Sequence, residues 1–274
     1  MSEIMQKFSL KGQAAVVTGG AGLLGKEFCR TLAQAGAGVV VADVDGGLAE
    51  STAAEICQEG GHAVSVSVDV TRPDSTQSMV DACVNAFGRM DILVCSAALD
   101  PKVDPGTSVR GGGRFEDYPL DQWKQALDVN LTGLFFSAQA ASRPMVAQGS
   151  GSMVFICSTY GLAGPDQRIY RKPGQENQPF KPVYYSVTKA GVLGLVRYLA
   201  TYYAGTKIRA NALTPGGVFN QHDDTFVQNY AYRTVMGRMA NKDEMNGALL
   251  FLASEASSYM TGSNIVVDGG WTAW

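Results

Sequence analysis

The stretch "PVYYSVTKAG" (182–191) sets two tyrosines side by side with a lysine just beyond them. Tyr185 and Lys189 are four residues apart, Tyr184 and Lys189 five. Val183, Val187, Ala190, Val192, Leu195 and Leu199 recur at mixed three- and four-residue spacing, which predicts a helix. On a helix, side chains four apart lie over one another, whereas those five apart diverge by roughly 140° at about 100° per residue. Only Tyr185 therefore shares its surroundings with the ammonium. A phenol, with a pKa of about 10, is a poor base at neutral pH. A nearby cation favours the phenolate and is expected to lower that pKa, giving a group able to take a proton from an alcohol. Ser158, ending the run "SMVFICS", could hold the substrate oxygen, and Asn130, in the helical pattern "ALDVNLTGLFF", could organise a water.

The elements that must position these groups are legible as short apolar runs. "AAVVTG" (14–19), "GVVVAD" (38–43), "HAVSVSVD" (62–69), "DILVCSA" (91–97), "SMVFICS" (152–158), "IRANALTPG" (208–216) and "NIVVDGG" (264–270) predict seven strands, separated by helical patterns such as 23–34. Strands that are apolar almost throughout and alternate with helices predict an α/β fold with a parallel sheet covered on both faces. Right-handed crossovers then make it doubly wound, a Rossmann arrangement. With 46% hydrophobic residues, no repeat and no linker, residues 1–274 read as a single domain. The irregular segments 99–119 and 165–182, with 217–235, follow strands and are expected at the carboxyl edge of the sheet, on the substrate side.

Several function classes are excluded. A net charge of −3 gives no footprint for nucleic acid. No run approaches the roughly 18 apolar residues of a membrane span, and "MSEIMQKFSLKGQ" lacks a signal-peptide core, so a cytoplasmic location is expected. The five cysteines are scattered without a CxxC pair and read as buried, reduced thiols. "QHDD" (221–224) lacks metal-ligand spacing and reads as part of a substrate lid; no metal is expected. Trp271 and Trp274 read as a C-terminal anchor or subunit contact.

"VVTGGAGLLGKEF" holds Gly20-Ala21-Gly22-Leu23-Leu24-Gly25, a G-x-G-x-x-G between an apolar strand and an amphipathic helix. Glycines there allow a tight turn and let backbone amides approach a pyrophosphate at the helix N-terminus. Asp43 ends the next strand 18 positions after Gly25, where a carboxylate would accept hydrogen bonds from an adenosine ribose. It would also repel a 2′-phosphate, so NAD is favoured over NADP. Asp69, closing the third strand, could meet the adenine amino group or serve only its own turn.

Taken together, "TGGAGLLG", Asp69, "DVNLTG", "STYG", Tyr185-x-x-x-Lys189, "TPGG" (214–217) and the terminal "IVVDGG" resemble the short-chain dehydrogenase/reductase family over essentially the whole length. The resemblance implies Asn130, Ser158, Tyr185 and Lys189 as the catalytic set. It implies dinucleotide contacts from Gly19, Gly20, Gly22, Leu24, Gly25, Asp43, Asp69, Val70, Ser96, Ala97, Tyr185, Lys189, Pro215, Gly216 and Val218, and a homodimer or homotetramer. Three departures stand out. Leu23 occupies a glycine position of the family's classical branch; Cys95-Ser96-Ala97-Ala98 replaces the usual Asn-Asn-Ala-Gly; and Ser158 and Tyr185 are 27 apart, about twice the customary gap, because 165–182 is inserted. More loosely, the insertion and the run after it look like flagellin- and surface-glycan-modification oxidoreductases.

The expected activity is an NAD-dependent interconversion of a secondary alcohol and a ketone on a small molecule, a sugar or sugar phosphate. A 3-oxoacyl thioester reductase, a general polyol dehydrogenase and a non-catalytic dinucleotide sensor are the alternatives. The insertion sets Arg168, Arg171, Lys172 and Lys181 against Asp166 and Glu176, a net +2 in a chain of −3. One or more of these four cations is therefore expected to hold a substrate phosphate, with Arg168, Arg171 and Lys172 as the named candidates.

Overall fold

The computed structural model describes residues 2–100, 114–172, 174 and 179–274. Its strands are β1 (Ala14–Thr18), β2 (Gly38–Asp43), β3 (His62–Ser67), β4 (Ile92–Cys95), β5 (Ser150–Ile156), β6 (Lys207–Pro215) and β7 (Asn264–Val267). They pair in parallel throughout, in the order β3-β2-β1-β4-β5-β6-β7. The helices are α1 (Glu3–Gln6), α2 (Leu23–Gln34), α3 (Gly46–Gln58), α4 (Pro73–Phe87), α5 (Leu120–Leu127), α6 (Gly133–Gln148), α7 (Val183–Tyr202), α8 (Asp224–Arg233) and α9 (Asn246–Ala253).

Alternation along the strands divides the core in two. Val16 and Val40 pack with residues of α4, α6 and α7, while Val17, Val39 and Val41 pack with residues of α2, α3 and α9. Each layer buries apolar area that neither sheet nor helices could hide alone. The sheet order reverses between β1 and β4, and the crevice outside their carboxyl ends is where an open α/β sheet offers a binding site.

The seven strands and the helix from 23 to 34 follow the sequence pattern. The departures lie near the ends. Ser158 stands two residues beyond the end of β5, where the chain turns into a 3-10 helix (Thr159–Gly161). Asn130 sits in one π-helical turn (Asp128–Thr132) between α5 and α6, where the sequence predicted regular helix. Gly133 follows it; a Cβ there would come within 2.7 Å of Val70, so glycine is what lets α6 approach the segment after β3. Segment 217–235 is largely ordered as α8, with Asp223 accepting from the Phe226 amide at 3.1 Å as its N-terminal cap. Cys57 is exposed, against expectation, because it faces outward near the end of α3; the other four cysteines are buried. Residues 101–113 of the first predicted loop, and 173 and 175–178 of the second, lie outside the described residues.

Asp91 fastens the three central strands at their amino ends. Its carboxylate accepts the Ala14 amide at 2.9 Å and a two-pronged contact from Arg89 at 2.7 Å on each oxygen. Its own amide donates to the Ala14 carbonyl, and its carbonyl accepts from Ser152, both at 2.8 Å. Asp91→Ala strands the buried Ala14 amide and is expected to cost about 2 kcal/mol of stability, read as a lower urea midpoint at unchanged slope.

Candidate active site

The glycine turn after β1 is built by close approaches. Gly19 has φ +65°, and a Cβ on it would lie 2.8 Å from the Ala97 backbone, two residues beyond the end of β4. A Cβ on Gly25 would lie 1.9 Å from the Gly19 carbonyl oxygen, so α2 can start here only without a side chain at that position. Asp43 locks the turn from β2: its carboxylate accepts from the Ala21 amide at 3.0 Å and from the Asp45 amide at 3.1 Å. The result is a side-chain-free cradle leading into the N-terminus of α2, and a dinucleotide pyrophosphate suits both its shape and its dipole.

That cradle forms one end of a cleft of about 570 Å³. Gly19, Gly22, Leu24, Gly25, Ser96, Tyr185, Lys189, Pro215, Gly216 and Val218 line it, together with Leu23. The other five expected cofactor residues, Gly20, Asp43, Asp69, Val70 and Ala97, lie outside that lining. Gly20 packs on Val17 and Val41, Ala97 under Gly19, and Val70 against Gly133. The Asp43 carboxylate holds the glycine turn. Asp69 accepts from the amide and hydroxyl of Thr71 at 2.9 and 2.7 Å, serving its own turn, and these bonds hold its carboxyl below the usual range.

At the other end Ser158, Tyr185 and Lys189 meet. The strand-to-helix contact behind them is tight. A Cβ on Gly161 would come within 2.7 Å of the Lys189 carbonyl, and the Cys157 thiol donates to that same carbonyl at 3.1 Å. So braced, α7 carries Lys189 inward, where its ammonium donates to the Ile156 carbonyl at 2.9 Å and lies 5.7 Å from the Tyr185 ring centre. Burial lowers the pKa of Lys189. Tyr184 turns away and packs its ring on Tyr118, with centres 6.1 Å apart, outside the cleft lining.

The expected lowering of the Tyr185 pKa is reversed in the free protein. Burial first, and then the negative charge of Asp100, push it well above the ordinary value, while the Ser158 hydroxyl pulls the other way. The Tyr185 hydroxyl donates to Asp100 at 3.4 Å. Lys181, ion-paired with Asp100, places its ammonium 4.2 Å from the Tyr185 ring centre. Asp100 was not picked out from the sequence; Lys181 was, but only as one of the four cations of the insertion.

Asn130 braces the site. Its side-chain oxygen accepts from the Leu99 amide at 2.7 Å, and its NH2 donates to the Leu99 carbonyl at 3.1 Å and to Thr188 at 3.3 Å. The amide thus fixes the segment after β4 and ties it to α7. It gives that segment polar support where Cys95-Ser96-Ala97-Ala98 replaces the usual amides.

The insertion reaches the cleft through residues other than those expected. Arg168 pairs with Asp166 at 2.7 Å and Lys172 with Asp223 at 3.1 Å; neither they nor Arg171 line the cleft. The phosphate clamp predicted from these three cations is not assembled, because adjacent carboxylates hold two of them and Arg171 is exposed. Instead Tyr170 and Lys181 enter the lining. Gln167 clasps the base of the insertion, its side chain accepting from the Lys181 amide at 2.8 Å and donating to the Lys181 carbonyl at 3.3 Å. Tyr170 bonds to the Tyr160 hydroxyl at 2.9 Å and stacks on Phe226 of α8 at 5.4 Å between centres. Tyr230 stacks on the buried Trp271 at 4.3 Å. Tyr160, Tyr170, Phe226 and Tyr230 with Met239 form an aromatic wall opposite the nucleotide end. Trp274 remains exposed, bonded to the Arg233 carbonyl at 3.1 Å. Among the described residues no group of three His, Cys, Asp or Glu side chains is placed to hold a metal, and no helix is long and apolar enough to cross a membrane.

A family described as enoyl-(acyl carrier protein) reductase matches residues 20–272. The chain is 34% identical to the short chain dehydrogenase/reductase astE of Aspergillus oryzae over 274 residues, 97% of each protein. It belongs to the short-chain dehydrogenase/reductases. A 3-alpha-(or 20-beta)-hydroxysteroid dehydrogenase of Mycobacterium bovis is 35% identical to this short-chain dehydrogenase/reductase over 264 residues, 96% of this chain and 91% of that one. A gluconate 5-dehydrogenase from Burkholderia cenocepacia, solved with NADP and tartrate, matches at TM-score 0.83 and 30% identity, covering 98% of both chains. The protein is an oxidoreductase of this family, whose members use NAD or NADP.

Asp100→Asn tests the electrostatics of the pair. With the negative charge gone the phenolate is less disfavoured, so the Tyr185 pKa falls. In a titration of phenolate absorbance, the component missing from Tyr185→Phe should move to lower pH in Asp100→Asn. An unmoved midpoint would show that burial alone sets the value.

Proposed function

We propose that this short-chain dehydrogenase/reductase interconverts a secondary alcohol and its ketone on a six-membered ring, a sugar or an alicycle, with NAD(H). The observation that carries the reading is the meeting of Ser158, Tyr185 and Lys189 in one cleft with a wall of aromatic rings. Flat aromatic faces suit the C–H faces of a ring better than a flexible acyl chain, which favours this reading over a 3-oxoacyl thioester reductase. When bound, the dinucleotide supplies the hydride acceptor. Ser158 holds the substrate oxygen, and Tyr185 takes the hydroxyl proton as the carbon gives up its hydride. Lys189 favours the phenolate and, through Ile156, stays fixed relative to β5. Asn130 is a positioning residue, holding Leu99 and Thr188. In the reverse direction Tyr185 returns the proton to the carbonyl oxygen.

A panel of cyclohexanols, sugars and hydroxysteroids with NAD and NADP tests the reading. Ring alcohols should reduce the dinucleotide, and a panel without any turnover would favour the sensor alternative. Tyr185→Phe should lower kcat on the order of 10²–10⁴-fold while dinucleotide binding persists. Tyr184→Phe, with its ring against Tyr118, should keep most activity; equal loss in both would sink the assignment of Tyr185.

NAD over NADP rests on Asp43, whose negative charge at the end of β2 opposes a 2′-phosphate. Asp43→Ala should reduce kcat/KM with NAD and narrow the gap to NADP. Wild-type protein that uses NADPH better than NADH at matched concentrations would overturn the preference.

A further inference from the structure

Asp100 stands where a substrate must go. Its carboxylate takes the hydrogen bond of the Tyr185 hydroxyl at 3.4 Å and at the same time pairs with Lys181. Both residues line the cleft beside Tyr170 and Tyr160. An alcohol whose oxygen is to meet Tyr185 has to expel the Asp100 oxygen from that hydroxyl. The two partners differ in freedom. The Asp100 side chain is 53% exposed, whereas that of Lys181 is 10% exposed, its backbone pinned on both sides by Gln167 and its ammonium lying over the Tyr185 ring. With Asp100 gone, Lys181 and Lys189 leave two ammoniums facing this end of the cleft.

Stranding a largely buried ammonium is costly, so what replaces Asp100 should carry its charge as well as its oxygen. A neutral alcohol brings only the oxygen. Resting on the ring-alcohol reading above, we infer that Lys181 recognises a carboxylate on the substrate ring, and that Asp100 occupies the place of that carboxylate in the free protein. Among the described residues, the Lys181 ammonium meets Asp100 from the segment after β4 and the Tyr185 ring from α7, and Lys181 also lines a neighbouring cavity with Glu116 and Asp117. The preferred substrates are hydroxy acids of ring compounds rather than ring phosphates, since a single ammonium exchanges one carboxylate for another, while Arg168, Arg171 and Lys172 do not line the cleft. Lys181 is thus a specificity residue, distinct from Lys189, which acts on the proton-transferring tyrosine.

Titration calorimetry of the NAD-loaded protein with cyclohexanecarboxylate and its neutral counterpart cyclohexanecarboxamide separates charge recognition from turnover, since neither compound carries the reacting hydroxyl. Wild type should bind the carboxylate about tenfold or more tightly than the amide. Lys181→Gln should erase that preference by weakening the carboxylate alone, and Lys181→Arg should retain it. Asp100→Asn, lacking the internal competitor, should bind the carboxylate more tightly than wild type. No preference in wild type, an equal loss of both ligands in Lys181→Gln, or a carboxylate affinity unmoved by Asp100→Asn would each overturn the inference. If the binding pattern holds while no ring alcohol is oxidised, the anion site stands and the proposed reaction falls.

Discussion

A charge taken out of water has to be met by oriented dipoles, and much of the cleft follows from how Lys189 satisfies this. Its ammonium reaches the Ile156 carbonyl at the carboxyl end of β5. That reach requires α7 to lie close over the strand-to-helix turn, which Gly161 permits and the Cys157 thiol reinforces. Once that face of the helix is fixed inward, the residue one turn earlier, Tyr185, is committed to the cleft, and Tyr184 is committed to Tyr118. The lysine thus sets the rotation of the helix, and the rotation chooses the tyrosine.

Much of this was legible in the sequence because it rests on periodicity and close approach. Apolar runs ending in glycine or aspartate marked the strands, and a four-residue spacing separated Tyr185 from Tyr184 without any coordinates. What escaped was long-range pairing between side chains. Nothing local in "SAALD" or "PFKPVYY" says that Asp100 and Lys181 meet over Tyr185, 81 residues apart. The raised pKa of Tyr185 in the free protein was not legible either: the helical ammonium was visible, whereas the burial of the phenol, which is the larger effect, and the Asp100 carboxylate depend on the folded chain. Asn130 was found by its pattern, but its π turn and its partner at Leu99 were not. The insertion was marked by its charge, but charge on a surface loop is more readily neutralised by near carboxylates such as Asp166 and Asp223 than kept for a ligand.

The two ends of the cleft are made of different material. The nucleotide end is backbone, set by strands hydrogen-bonded along their length and by glycines that leave no room for side chains. The substrate end is side chain, contributed by the insertion, by α8 and by the C-terminal Trp271, and joined by ring contacts between Tyr170 and Phe226 and between Tyr230 and Trp271. A substitution at the first end disturbs the sheet edge itself, whereas one at the second reshapes a wall and leaves the strands alone.

The Gln167 clasp puts control of the substrate end at a residue outside it. Because one side chain holds both the amide and the carbonyl of Lys181, the backbone of that lysine is tied to a residue that does not line the cleft. A change at position 167 therefore reaches the ammonium over the Tyr185 ring without altering any group that a ligand would touch.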